Sequence, residues 1–155
     1  MIGPVSIPLS APDLSAVENE YVAEAMRQGW ISGTGQFVAE FERALNARIS
    51  HKHTVAVANG TLAVELALRA LRIGPGDQVI VPALTFAAPA MSVLAVGAEV
   101  VLADVSPTTW TLDPAPAAGA VTARTKAIIA VDLLGHPADY DELAGLGLPV
   151  IQDAA

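Results

Sequence analysis

From Thr54 onward, short apolar runs alternate with segments of helical period. TVAVA, QVIVP, EVVLAD, KAIIAVD and LPVIQD are separated by TLAVELALRALR, APAMSVLAV, a Pro/Ala-rich stretch and ADYDELAG. Alternation of this kind predicts right-handed βαβ crossovers and a mostly parallel sheet. The runs are apolar throughout rather than on every second residue, the pattern of strands covered on both faces. Before Thr54 the period is helical. Leu14, Val17, Tyr21 and Ala25 share a face in LSAVENEYVAEAMRQG, with Asp13 or Ser10 as the candidate cap and Gly29 closing the run. After the loop WISGTGQ, a second helix over QFVAEFERALNARI places Val38, Phe41, Leu45 and Ile49 on one side and Glu40, Glu42, Arg43 and Arg48 on the other. The expected fold class is therefore α/β: N-terminal helices in residues 1–50, then a sheet with crossover helices in residues 51–155.

Composition narrows the picture. With 53% hydrophobic residues and a mean hydropathy of +0.50, the 155-residue chain has ample material for a core and is not a disordered chain. Charged residues make up only 15%, well below the usual quarter, so much of the surface is expected to face other protein. The net charge is −8 and the eight Lys and Arg form no basic patch, which argues against nucleic-acid binding. Without cysteine there is no disulfide framework and no thiolate metal site, and a reducing cytoplasm is permitted. The N-terminus has no basic region followed by an apolar core, so a cytoplasmic location is expected. Val79 to Ala98 is free of charge over the length of a membrane span, but Pro82, Pro89 and Gly97 interrupt it and no Lys or Arg marks a flank. The expectation is a buried strand, loop and helix, and no membrane.

Candidate chemistry sits at three junctions. In VAVANGTLAVELALRALRIGPGD, Asn59, Gly60 and Thr61 join a β-like run to a helix that Gly74 is expected to end. A glycine there admits close backbone approach, and the free N–H groups of a helix start suit a phosphate. The same residues also read as an ordinary helix cap. In VIVPALTFAAPA, Thr85 and Phe86 follow a strand on the same sheet edge; the ring would lie on a planar ligand or belong to the core. Asp153 ends the run LPVIQD on that edge, as a partner for a heterocyclic nitrogen or as a cap. His51 and His53 lack a third ligand at metal spacing, His136 reads as a turn residue, and Asp139, Asp141 and Glu142 read as an acidic first helical turn. No dinucleotide, P-loop or nucleophile-elbow fingerprint occurs.

Taken together, WISGTGQFVAEFERAL, VAVANGTLAVELALRAL, GPGDQVIVPALTFAAPAMSVLAVGAEVVLADV, TKAIIAVDLLGH and VIQDAA resemble, in order and spacing, the DegT/DnrJ/EryC1/StrS sugar aminotransferases, fold-type I pyridoxal phosphate enzymes. The resemblance implies the incomplete large domain of such a transferase, with residues 51–155 as a partial cofactor-binding domain. Pyridoxal 5'-phosphate is the implied cofactor. Gly60, Thr61 and the Leu62 amide would hold its phosphate, Phe86 would stack on its ring and Asp153 would pair with the ring nitrogen. Ser32, Gly33 and Thr34 fall where the family presents a loop to the amino-sugar substrate. A keto-sugar and an amino donor are the implied small molecules, and a homo- or hetero-oligomer the implied assembly.

The chain also departs from that pattern. Gln152 stands where the family usually has Glu, and Asp132 where it often has His. The family's Schiff-base lysine lies downstream of the aspartate motif, so no catalytic residue is assigned in this chain. Lys52 precedes the first β-like run and Lys126 opens a later one on the edge away from the ligand, and neither suits a nucleophile. The expectation is that a missing or separate C-terminal part supplies the lysine. A sugar dehydratase of the same family, with histidine in its place, and a non-catalytic truncated subunit are the alternative expectations.

Overall fold

A computed structural model describes residues 11–49 and 52–155. The chain divides into two compact units, Met1–Ala56 and Val57–Ala155. In the first, helix α1 spans Ala16–Gln28 and α2 spans Gln36–Arg48. The cap of α1 is Ser15, not Asp13. Ser15 Oγ accepts the Val17 amide while the Glu18 carboxylate accepts the Ser15 amide, a reciprocal box in which two orphan donors are satisfied. The other candidate cap, Ser10, lies outside the described residues. Tyr21 and Phe37 meet edge to face with centroids 5.6 Å apart, yet neither helix has a fully buried residue. Their apolar stripes therefore line an open groove of about 510 Å³ between Tyr21, Val22, Ala25, Phe37, Phe41 and Ala44.

The second unit runs α3 (Gly60–Ala70), β1 (Gln78–Pro82), α4 (Ala88–Ala95), β2 (Glu99–Ala103), α5 (Pro114–Gly119), β3 (Thr125–Val131), α6 (Tyr140–Ala144) and β4 (Val150–Asp153). The four strands are all parallel, in the order β2-β1-β3-β4. The expected first strand, Thr54 to Ala58, is not one. It is irregular, with Val55 largely exposed, because no described strand offers it a ladder and an extended apolar run without a partner is not a sheet. Arg72, at φ 59°, ends α3 ahead of the expected Gly74: the Arg72 and Ile73 amides return to the Arg69 and Leu68 carbonyls.

Alternation along the strands builds two cores. Val79, Val81, Ala127, Ile129 and Val131 face α3 and α4, where they meet Val64, Leu68 and Val93. Ile80, Ile128 and Ala130 face the other way, with Leu112, Ala117 and Leu143 from the α5 and α6 side. Covering both faces is what permits continuous apolar runs. From β1 the chain crosses to β2 on one side, and β3 returns to the other side of β1. Strand order reverses there, and the reversal opens a crevice beyond the carboxyl ends of β1 and β3. Among the described residues no helix is long and apolar enough to cross a membrane.

Candidate functional site

Three loops and one helix start converge on that crevice. Asn59 is extended and caps α3, its Oδ1 accepting the Leu62 amide at 3.0 Å. Gly60 and Thr61 form the first turn. A Cβ placed on Gly60 would meet nothing within 4 Å, so the backbone there is open to approach. The position of the turn is fixed from α4, whose buried Ser92 hydroxyl lies 3.0 Å from the Thr61 carbonyl oxygen and 2.9 Å from that of Ala88.

The remaining residues come from strand ends. Past β1, Phe86 is 80% exposed, which excludes the core role that an isolated phenylalanine would otherwise take. Beside it the Thr85 Oγ1 is buried and has no hydrogen-bond partner. Such a hydroxyl carries a desolvation cost that a polar ligand group would relieve. Past β3 lie Asp132 and a short turn, Leu133–Gly135, in which Leu134 adopts φ 54° and stays exposed. Asp153 closes β4, and its Oδ1 accepts the Ala155 amide at 3.3 Å.

Gly60, Thr61, Thr85, Phe86, Asp132 and Asp153 line one cleft of about 340 Å³. Gly60, Thr61, Thr85, Phe86 and Asp153, five residues singled out from the sequence, thus come together. Leu62 does not line the cleft, and its amide is engaged by Asn59. Ser32, Gly33 and Thr34 belong to the first unit, where the Ser32 and Thr34 hydroxyls lie 3.3 Å apart. Lys126 is exposed at the amino end of β3, the end away from the cleft. A larger hollow of about 620 Å³ lies between Ser106–Pro114 and His136–Asp141, but its Asp113 and Asp139 are spent capping α5 and α6. No group of three or more His, Asp or Glu side chains among the described residues is placed to hold a metal.

Sequence reading missed the polar network behind Asp153. Asp132 Oδ1 accepts the Tyr140 hydroxyl and the Ala138 amide, and Asp132 Oδ2 accepts Gln152 Nε2 at 2.7 Å. Burial pushes the Asp132 carboxyl up, but the bonds from Tyr140, Gln152 and Ala138 outweigh it and hold the group below the usual carboxylate range. Burial, and then the same carboxylate, push the Tyr140 hydroxyl well above its ordinary value. The signal available in the sequence was the pair of departures at Asp132 and Gln152, two positions that meet across adjacent strands.

The profile of the DegT/DnrJ/EryC1/StrS aminotransferase family matches residues 12–155. GDP-perosamine synthase of Caulobacter vibrioides is 46% identical over 153 residues, covering 96% of this chain and 41% of that protein. 3-Amino-5-hydroxybenzoate synthase of Amycolatopsis mediterranei is 42% identical over 149 residues, covering 93% and 38%. Among solved structures, Spr1654 of Streptococcus pneumoniae in its PLP form superposes with a TM-score of 0.82 at 39% identity, covering 92% of this chain and 36% of that one. The chain spans about two fifths of the length of the curated relatives it matches.

Proposed function

The chain belongs to the DegT/DnrJ/EryC1/StrS aminotransferase family, and from that premise we propose that it is the N-terminal portion of a pyridoxal phosphate-dependent aminotransferase acting on a nucleotide-linked keto-sugar. A C-terminal part contributes the Schiff-base lysine. Pyridoxal phosphate is the cofactor of the family. One observation carries the reading. The cleft gathers a helix start, an exposed aromatic ring and a carboxylate around a buried hydroxyl that lacks a partner.

The residues present suit the cofactor. The Gly60 and Thr61 amides lie in the first turn of α3, where N–H groups have no intrahelical acceptor and the dipole favours an anion. The Leu62 amide joins them only by exchanging Asn59 for a phosphate oxygen. Phe86 would offer its face to the pyridine ring, and Asp153 would hold a proton at the ring nitrogen. The bound cofactor supplies an electron sink when a proton is removed next to the transferred amino group. Ser32, Gly33 and Thr34 would contact the sugar substrate, and the amino group would come from an amino-acid donor.

The exposed apolar stripes of α1 and α2 support a protein partner, either the C-terminal part or a second subunit. The test is cofactor retention and transamination by the complete enzyme, this chain with its C-terminal part. Asp153→Ala is expected to lose both. Full activity in that variant would refute the assignment.

A further inference from the structure

Asp153 is held at the tip of β4, and β4 pairs with β3 alone among the described strands. The Asp132 amide continues that ladder, donating to the Asp153 carbonyl oxygen at 2.9 Å, and Gln152 Nε2 donates to Asp132 Oδ2 at 2.7 Å. Strand alternation puts Gln152 on the face opposite to Asp153, the face that α5 and α6 cover. Asp132 is itself fixed there by the Ala138 amide at 3.1 Å and by the Tyr140 hydroxyl. Three donors, from the loop before α6, from α6 and from β4, thus converge on one carboxylate behind the strand tip.

From this convergence we infer that Asp132, Tyr140 and Gln152 are positioning residues: a clamp that fixes the direction in which Asp153 presents its carboxylate to the cleft. The inference rests on the reading of Asp153 as the partner of the cofactor ring nitrogen. The hub is a carboxylate and the reaching arm an amide, so the polarity of the Asp132–Gln152 bond is defined. It is also reversible. In Asp132→Asn with Gln152→Glu, the new amide can donate to the new carboxylate while its carbonyl oxygen still accepts from Tyr140 and Ala138. Gln152→Glu alone sets two carboxylates against each other, and Gln152→Leu removes the arm.

The experiment measures pyridoxal phosphate affinity of the complete enzyme, together with the ring-nitrogen signal of 15N-labelled cofactor. Gln152→Leu and Gln152→Glu are each expected to weaken binding about tenfold and to move the ring signal toward that of an unprotonated pyridine. The double variant Asp132→Asn/Gln152→Glu is expected to restore both. A merely structural arm would change unfolding without moving the ring signal. Asp153→Ala separates the two readings. If it leaves affinity and ring signal unchanged, the assignment of Asp153 fails and the clamp with it. If it abolishes the signal while both Gln152 variants keep wild-type values, or the double variant rescues nothing, the clamp alone is overturned.

Discussion

The hydroxyl of Ser92, buried inside α4, lies 3.0 Å from the carbonyl oxygen of Thr61 in the first turn of α3. That bond joins two helices on the same face of the sheet and sets where the open amides of Gly60 and Thr61 point. Ser92→Ala is expected to cost about 1 kcal/mol of unfolding free energy, the net value of one such bond, and to weaken phosphate binding at the α3 start. Urea unfolding and cofactor titration read the two effects. A destabilised variant with unaltered cofactor affinity would show that the bond serves packing only.

Thr85 offers a prediction of opposite sign. Its hydroxyl is buried with no partner, so Thr85→Val replaces an unsatisfied group by a methyl of the same shape. The cofactor-free protein is expected to gain about 1 kcal/mol, and the loaded enzyme to bind its cofactor less tightly. Thermal unfolding with and without cofactor gives both signs. A loss of stability in the free protein would mean that the hydroxyl is already satisfied.

Asn59 competes with the ligand. Its Oδ1 takes the Leu62 amide, which the proposed phosphate site needs. Asn59→Ala is expected to cost about 1 kcal/mol through loss of the cap, while affinity for inorganic phosphate does not fall. A parallel loss of affinity, read by calorimetric titration, would make Asn59 a ligand-binding residue in its own right.

The Tyr140–Asp132 bond predicts a plateau in stability against pH. The fold lowers the Asp132 carboxyl, so its contribution is present above about pH 4, the value of a free aspartate, and is lost as pH falls through the lowered value. The fold raises the Tyr140 hydroxyl, so its contribution is complete below about pH 10, that of free tyrosine, and is lost as pH rises beyond it. Denaturant unfolding of the wild type and of Tyr140→Phe should therefore differ by about 1 kcal/mol between those limits, with the gap narrowing on both sides. A gap that does not change with pH would show the bond to be absent in solution.

The legible parts of the fold were those written in local pattern. QVIVP, KAIIAVD and the end of LPVIQD are strands because continuous apolar residues demand cover on two faces, and α3 to α6 provide it. TVAVA carries the same pattern and is irregular, since apolarity reports burial whereas a strand needs a neighbour. The Ser15–Glu18 box was readable in the sequence, but Asp13 and Ser10 drew the cap upstream. Gly60, Thr61, Phe86 and Asp153 were accessible because a parallel sheet brings all its strand-to-helix junctions to one edge. Tyr140 was not, because Tyr140 reaches Asp132 from eight residues away while Gln152 reaches Asp132 from twenty, and no periodicity encodes the meeting of three such segments.

The strand order β2-β1-β3-β4 also sets an order of assembly. β1 gains its first neighbour after a single crossover helix, so α3, β1, α4 and β2 can collapse together as the chain leaves the ribosome. After β2 the chain must cross back past β1 to place β3 on its far side, a longer loop closure that local contacts reward late. Asp132 and Asp153 are carried by β3 and β4, later in the chain than the helix start of α3. The helix-start end of the cleft is therefore expected to form before its acidic end.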